Sequence, residues 1–230
     1  MKRIEVLDVW RSLAILLMMA YHLLYDLYMF DAISSATLGS EWAYSLRYLA
    51  VGSFLIISGT VVHFSRSSIR RGFIVFLCGF GVTVVMKLAV NQDVQFGVLH
   101  LLGTLMIAYE LISRRVKTPK GIWFPILLIV LFVVTYRICY TTWIEARWLY
   151  PIGLRYHGFT SADYYPLLPW GLLFGIGVWF GTVIDRYRSL PILNRKCHPA
   201  LTFLGRHSLI VYLAHQPIIY GICFLIFGRN

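Results

Sequence analysis

The chain alternates long apolar stretches with short polar ones from end to end. Apolar windows of roughly 20 residues, the length an α-helix needs to cross the hydrocarbon core of a bilayer, cover residues 10–30, 43–63, 72–90, 96–113, 121–140, 166–185 and 206–227. No repeat period and no low-complexity tract interrupts them. The pattern predicts an all-α, polytopic membrane helix bundle of about seven transmembrane helices, forming one domain over residues 1–230. The window at 166–185 carries Gly171/Gly175 and Gly177/Gly181, small-xxx-small spacings that let helices approach closely. They serve either packing within the chain or a homodimer through this Gly-rich helix. The GxG inside the window lacks the strand–turn–helix setting of a nucleotide fingerprint.

Composition agrees. Hydrophobic residues make up 59% of the 230 and charged residues only 13%, against about 25% charged in a soluble domain. A formal net charge of +11 raises the possibility of nucleic acid, but the basic residues sit in short connections rather than a groove. That placement is an orientation signal and a contact for anionic lipid. Lys2 and Arg3 precede the first apolar stretch as in a signal peptide, yet no small-residue cleavage site follows, so it is read as a first span. With the N-terminus cytoplasmic, only Arg47, Lys87, Arg137, Arg147, Arg155 and Arg229 of the 21 Lys and Arg fall outside; the other fifteen fall inside. This predicts an N-inside, C-outside protein. Cys78, Cys139, Cys197 and Cys223 show neither metal nor disulfide spacing and are read as small packing residues.

The first apolar window carries polar residues that lipid alone would not tolerate. In RSLAILLMMAYHLLYD (11–26), Arg11 and His22 are eleven helical steps of about 100° apart, which returns to almost the same face about 16 Å further along. Asp26 lies one turn beyond His22 on that face, and Asp8 lies at i−3 from Arg11, within pairing reach. Ionisable groups at such depth face a bundle interior or a wet cavity. The plain reading makes Arg11 an interfacial anchor and His22 a packed core residue. The functional reading makes His22 and Asp26 a local pair in which the carboxylate orients the imidazole and stabilises its charged form.

Other polar residues are consistent with a shared cavity. His100 opens the fourth window in FGVLHLLG. The seventh, RHSLIVYLAHQPIIYG, sets Ser208, Tyr212, His215 and Gln216 near one face, with Pro217 loosening the helix by removing a donor. Glu110 and Lys87, near window ends, are read as snorkelling to the interface. His63, His157, His198 and His207 lie at ends or in loops and are read as carrying no function. The stretch 141–165, rich in Trp, Tyr and Arg, is expected to lie on the bundle and cap it. It leads into the sixth window through Asp163, Tyr164 and Tyr165, then Pro166 and Pro169, two residues suited to opening a helix. Asp163 and Tyr164 there suit a sugar site; the alternative is an aromatic belt with Asp163 as a helix cap. His22, His100 and His215 are candidates to converge on a metal, but no HxxxH or HExxH spacing occurs, and no metal is expected. There is no GxSxG for a nucleophilic serine.

Four stretches carry a resemblance to a known family: LDVWRSLAILLMMAYHLLYDL (7–27), FGVLHLLG (96–103), ADYYPLLPWGLLFGIG (162–177) and LGRHSLIVYLAHQPI (204–218). Arg11 and His22 are similar to the Arg-x10-His signature of membrane-bound acyltransferases. More specifically, the chain resembles the catalytic-domain family of heparan-α-glucosaminide N-acetyltransferase, as a short, bacterial-type version without that enzyme's extra spans and lumenal domain. The resemblance implies transfer of an acetyl group from cytosolic acetyl-CoA to an acceptor, a sugar or glycan, across a membrane, here the bacterial inner membrane. It implies His22 as the catalytic histidine. On that reading Arg11 and Asp26 complete the catalytic set, and His100, Asp163, Tyr164, His215 and Gln216 bind the acceptor. Arg70, Arg71, Lys117 and Lys120 would hold CoA phosphates; for each of these four, plain orientation charge is the simpler reading. His22 acts either as general base or through an acetyl-histidine intermediate. The rival class is a proton-coupled transporter or channel, since intramembrane His and Asp also build proton relays. Against it, no inverted repeat is visible. A membrane scaffold without chemistry leaves the His22–Asp26 stripe unexplained.

The charge asymmetry has a direct test. A reporter fused after Asn230 is expected on the outer face and one inserted near Lys117 in the cytoplasm. Finding the C-terminal reporter in the cytoplasm would require an even number of crossings.

Overall fold

A computed structural model describes residues 3–65 and 67–228; Lys2, Arg66, Arg229 and Asn230, used in the orientation argument, lie outside them. Among the described residues the helices are α1 (Glu5–Met29), α2 (Ser35–Leu38), α3 (Glu41–Val62), α4 (Ser68–Val90), α5 (Val98–Ser113), α6 (Trp123–Thr141), α7 (Leu167–Arg186), α8 (Pro199–Arg206) and α9 (Ser208–Phe227). Each apolar window of the sequence is thus a helix. Six of them are long and apolar enough to cross a membrane, while α5, at the fourth window, is a shorter apolar helix. The protein is an integral membrane protein, mostly helical and with almost no strand among the described residues. The chain divides into two compact units, Met1–Phe54 with Arg188–Asn230, and Leu55–Tyr187.

In the first unit α1 is the centre, with α8 and α9 packed along it. Its apolar surface is split: Leu7, Ala14, Ile15 and Met18 are buried, whereas Leu13, Leu16 and Leu23 are exposed. A helix that is apolar on both faces needs an apolar surround, and the membrane supplies it. What turns inward among those apolar residues is polar: Asp8, Ser12 and Asp26 are buried. Gly205 sets the distance between α1 and α8, because a Cβ there would overlap the backbone of Asp8. The Ser12 hydroxyl reaches the carbonyls of Asp8 (3.0 Å) and Leu201. Glu5 accepts from the backbone N–H of Cys197 at 2.8 Å.

Asp8 has partners that helical spacing did not single out. Asp8 is gripped by Arg3 through two bonds of 2.6 and 2.7 Å, with Arg206 at 3.8 Å. Arg3 can align its planar fork on the carboxylate in bidentate fashion.

In the second unit, glycines bring backbones together. Gly72 of α4 and Gly103 of α5 face each other, each leaving no room for a Cβ on the other. Gly59 of α3 lies against the Phe174 backbone of α7, and Gly177 of α7 against that of Ile56. The glycine spacings of α7 are therefore used within this unit, with Gly181 on His63 and Thr60, and Gly175 on Leu128 of α6. Glu110 does not simply snorkel. Its carboxylate accepts from the Ser68 backbone N–H at the start of α4 (3.2 Å) and pairs with Arg114 (3.1 Å). Lys87 pairs with Asp93 at 3.0 Å.

The connection from α6 to α7 carries a two-residue parallel strand pair, Trp143 with Arg155 and Ile144 with Tyr156. Arg155 holds it: its guanidinium donates to the Tyr140 carbonyl (2.7 Å) and lies over the rings of Trp143 and Tyr140. Backbone bonds Ala162 N–Asp93 O and Tyr165 N–Phe96 O, of 2.9 and 3.0 Å, then stitch this connection to the one between α4 and α5. The two prolines do not open α7 in one continuous run. Pro166 is the cap, and the helical path is broken at Leu168 (φ −108°, ψ 131°) before Pro169.

The glycine contacts predict a contrast. Gly177→Ala drives a Cβ into the Ile56 backbone, which has no flexible end to yield, and should lower stability in detergent by about 1–3 kcal/mol. Gly81→Ala, which meets nothing, should leave it unchanged. Thermal unfolding of the two purified variants makes the comparison, and equal behaviour would mean that the α3–α7 approach is looser than described.

Candidate functional site

The polar stripe of α1 meets α9 at two places one helical turn apart. His22 Nδ1 lies 2.7 Å from His215 Nε2, with the two rings 4.9 Å apart at 35°. One turn on, Asp26 Oδ1 accepts from Gln216 Nε2 at 2.9 Å. Helical geometry makes this register: α1 offers i and i+4 on one face, and α9 answers with two consecutive residues at the edge of its own face. The local His22–Asp26 pair anticipated from spacing is therefore replaced by two cross-helix pairs.

The surroundings are tightly fixed. His215 is buried, and its Nδ1 is 2.6 Å from the Tyr212 carbonyl oxygen, a turn back on α9. Tyr212 stacks on Phe54, centroids 6.0 Å apart at 15°. Asp26 is 1% exposed; its Oδ2 and the Gln216 Oε1 are buried with no hydrogen-bond partner among the described residues. Arg11, on the same helix toward its start, donates to the Gly205 carbonyl at 3.3 Å. Arg47 of α3, which the sequence offered only as an orientation charge, lies 5.8 Å from the centre of the Tyr21 ring, next in sequence to His22. Nothing in its spacing flagged it, because the contact is between helices.

The remaining candidates belong to the second unit. His100 sits in the first turn of α5, buried edge-on to Phe76 and stacked by Phe96, with Gly79 leaving room for it. Its Nδ1 is buried without a hydrogen-bond partner among the described residues. Phe96 holds a φ of +60° to place its ring there, a conformation that is strained for a bulky residue. Asp163 is a cap, though of α5 rather than α7: its Oδ2 accepts from the Val98 N–H at 3.0 Å. The Tyr164 hydroxyl donates to the Tyr150 carbonyl at 2.7 Å, and burial pushes this phenol well above its ordinary range, keeping it neutral. Arg70, Arg71, Lys117 and Lys120 are all exposed. The Ser68–Glu110 contact brings the start of α4 to the end of α5, so Arg70 and Arg71 share one end of the unit with the basic connection that follows α5.

One cluster there escaped the sequence reading. His63, read as carrying no function, is 3.3 Å from the Tyr109 hydroxyl through Nδ1 and 3.9 Å from Asp185 through Nε2. Burial lowers its affinity for a proton, against the pull of Asp185. Among the described residues no three His, Cys, Asp or Glu side chains group in a way that could hold a metal ion.

Comparison with curated proteins finds no match, and comparison with solved structures finds none. A family model described as "Heparan-alpha-glucosaminide N-acetyltransferase, catalytic" matches residues 3–217, a span that includes both halves of the α1–α9 site. With nearly the whole chain covered, the protein belongs to the catalytic family of heparan-alpha-glucosaminide N-acetyltransferase, a family of acyltransferases.

Proposed function

We propose that the protein moves an acetyl group from acetyl-CoA to an amine or hydroxyl of a sugar-like acceptor, with His22 as the reacting side chain. The observation that carries this reading is the His22–His215 bond inside a chain whose family is one of acyltransferases. An imidazole held at one nitrogen by a buried partner presents the other in a fixed direction, which is what proton transfer at a defined atom needs.

In the direct route, the acceptor N–H or O–H lies against His22. As its heteroatom attacks the thioester carbonyl, His22 takes the proton; the C–S bond then breaks and the CoA sulfur recovers that proton from the imidazolium. In the two-step route, His22 itself attacks, the C–S bond breaks to leave an acetyl-imidazolium and the CoA thiolate, and the acceptor then takes the acetyl group while its proton ends on the CoA sulfur. Asp26, a turn away and tied to Gln216, adds negative charge near the imidazolium formed in the direct route. On the second unit, Arg70, Arg71, Lys117 and Lys120 supply positive charge for the CoA phosphates. Transfer from a cytosolic donor to an acceptor on the other side of the membrane rests on the family resemblance.

Purified protein given acetyl-labelled CoA and glucosamine should release CoA and label the sugar. His22→Ala should insert normally and lose about 10²–10⁴-fold in rate if His22 is a base, and all turnover if it carries the acetyl group. Normal turnover by a well-inserted His22→Ala protein would remove His22 from the chemistry. Arg70→Gln with Arg71→Gln should raise the KM for acetyl-CoA and leave the acceptor KM unchanged; a change in the acceptor KM alone would separate these residues from donor binding.

A further inference from the structure

The two histidines do more than touch. A carbonyl oxygen only accepts hydrogen bonds, so the 2.6 Å contact between His215 Nδ1 and the Tyr212 carbonyl requires a proton on His215 Nδ1. In a neutral imidazole the other nitrogen, Nε2, is then a bare lone pair. That lone pair faces His22 Nδ1 at 2.7 Å, so His22 Nδ1 must carry the proton between them. With its own single proton on Nδ1, neutral His22 is left with an unprotonated Nε2. We propose that His215 is a positioning residue that fixes the tautomer of His22, so that Nε2 is the reacting nitrogen, and that the Tyr212 carbonyl anchors this chain.

The same chain gives the charge a second seat. When His22 Nε2 takes a proton from the acceptor, the Nδ1 proton can pass to His215 Nε2. His215 then holds protons on both nitrogens, one on Tyr212 and one returned toward His22, while His22 is again neutral. No atom is gained or lost, and the proton goes back along the same bond when the CoA sulfur is protonated. The arrangement resembles the role of a carboxylate behind a catalytic imidazole, with an imidazole and a backbone carbonyl in its place. Asp26, one turn on, is engaged with Gln216.

This rests on His22 being the reacting group, and the test separates the two claims. Nitrogen-15 NMR of 15N-histidine-labelled protein in nanodiscs, with signals assigned through His22→Gln and His215→Gln, reads each tautomer without any turnover. The expected result in the wild type is protonated Nδ1 and bare Nε2 on both residues; a protonated Nε2 on neutral His22 overturns the proposal. His215→Leu should release His22 to the opposite tautomer and lower kcat by about 10²–10⁴-fold, with the KM for acetyl-CoA unchanged. His215→Gln, whose amide oxygen can accept from His22 Nδ1, should restore the His22 tautomer and most of kcat. Full kcat in the Leu variant, or a Gln variant as slow as Leu while His22 keeps its tautomer, overturns the positioning role. If the wild type transfers no acetyl group to any acceptor tried, the proposed function fails, and the NMR result still decides the tautomer.

Discussion

Everything in the first unit depends on one constraint: polar groups on a membrane helix have no water to turn to, so protein must meet each of them. Asp8 is met by Arg3 and Arg206, Ser12 by the α8 backbone, His22 by His215 and Asp26 by Gln216. These contacts fall along one face of α1 and bind it to α8 and α9. The hydrophobic effect cannot choose this arrangement, because lipid is as good a partner for Leu13 or Leu16 as another leucine is. Specific polar pairs therefore decide which helices lie against α1, and the same pairs build the site.

In the second unit the organising device is steric. Gly59, Gly72, Gly103 and Gly177 remove side chains where backbones cross, and close backbone contact supplies the dispersion that holds helices together in lipid. Side-chain caps complete it: Asp163 on the start of α5 and Glu110 on the start of α4. Each satisfies backbone N–H groups that a helix cannot satisfy for itself. Both caps come from far along the chain, so they lock elements together as well as finishing a helix.

The sequence made the helices legible because hydrocarbon thickness imposes a length, and length is readable without knowing any contact. Arg11, His22 and Asp26 were legible as a stripe for the same reason, since helical periodicity is local. Pairing was not legible. Spacing on one helix offered His22 with Asp26 and Asp8 with Arg11; it could not show that His215, Gln216 and Arg3 reach His22, Asp26 and Asp8 from outside that helix. Asp163 was readable as a cap, but the helix it caps was not, since that depends on how residues 142–166 lie against residues 91–97. His63 shows the limit in reverse, for a histidine at a helix end has no periodicity to mark it and gains its neighbours, Tyr109 and Asp185, only through packing.

His22 and His215 stand 193 positions apart in the chain. A ribosome adding about 5–20 residues per second therefore delivers the second roughly 10–40 s after the first. Over that interval α1 is in or near the bilayer with an aspartate and a histidine still lacking their partners from α9. The nascent protein must shelter that face, in the insertion machinery or at the membrane surface, until the last helix arrives. Biogenesis thus turns on the last helix: a chain that ends before α9 lacks both His215 and Gln216, the partners that His22 and Asp26 have among the described residues.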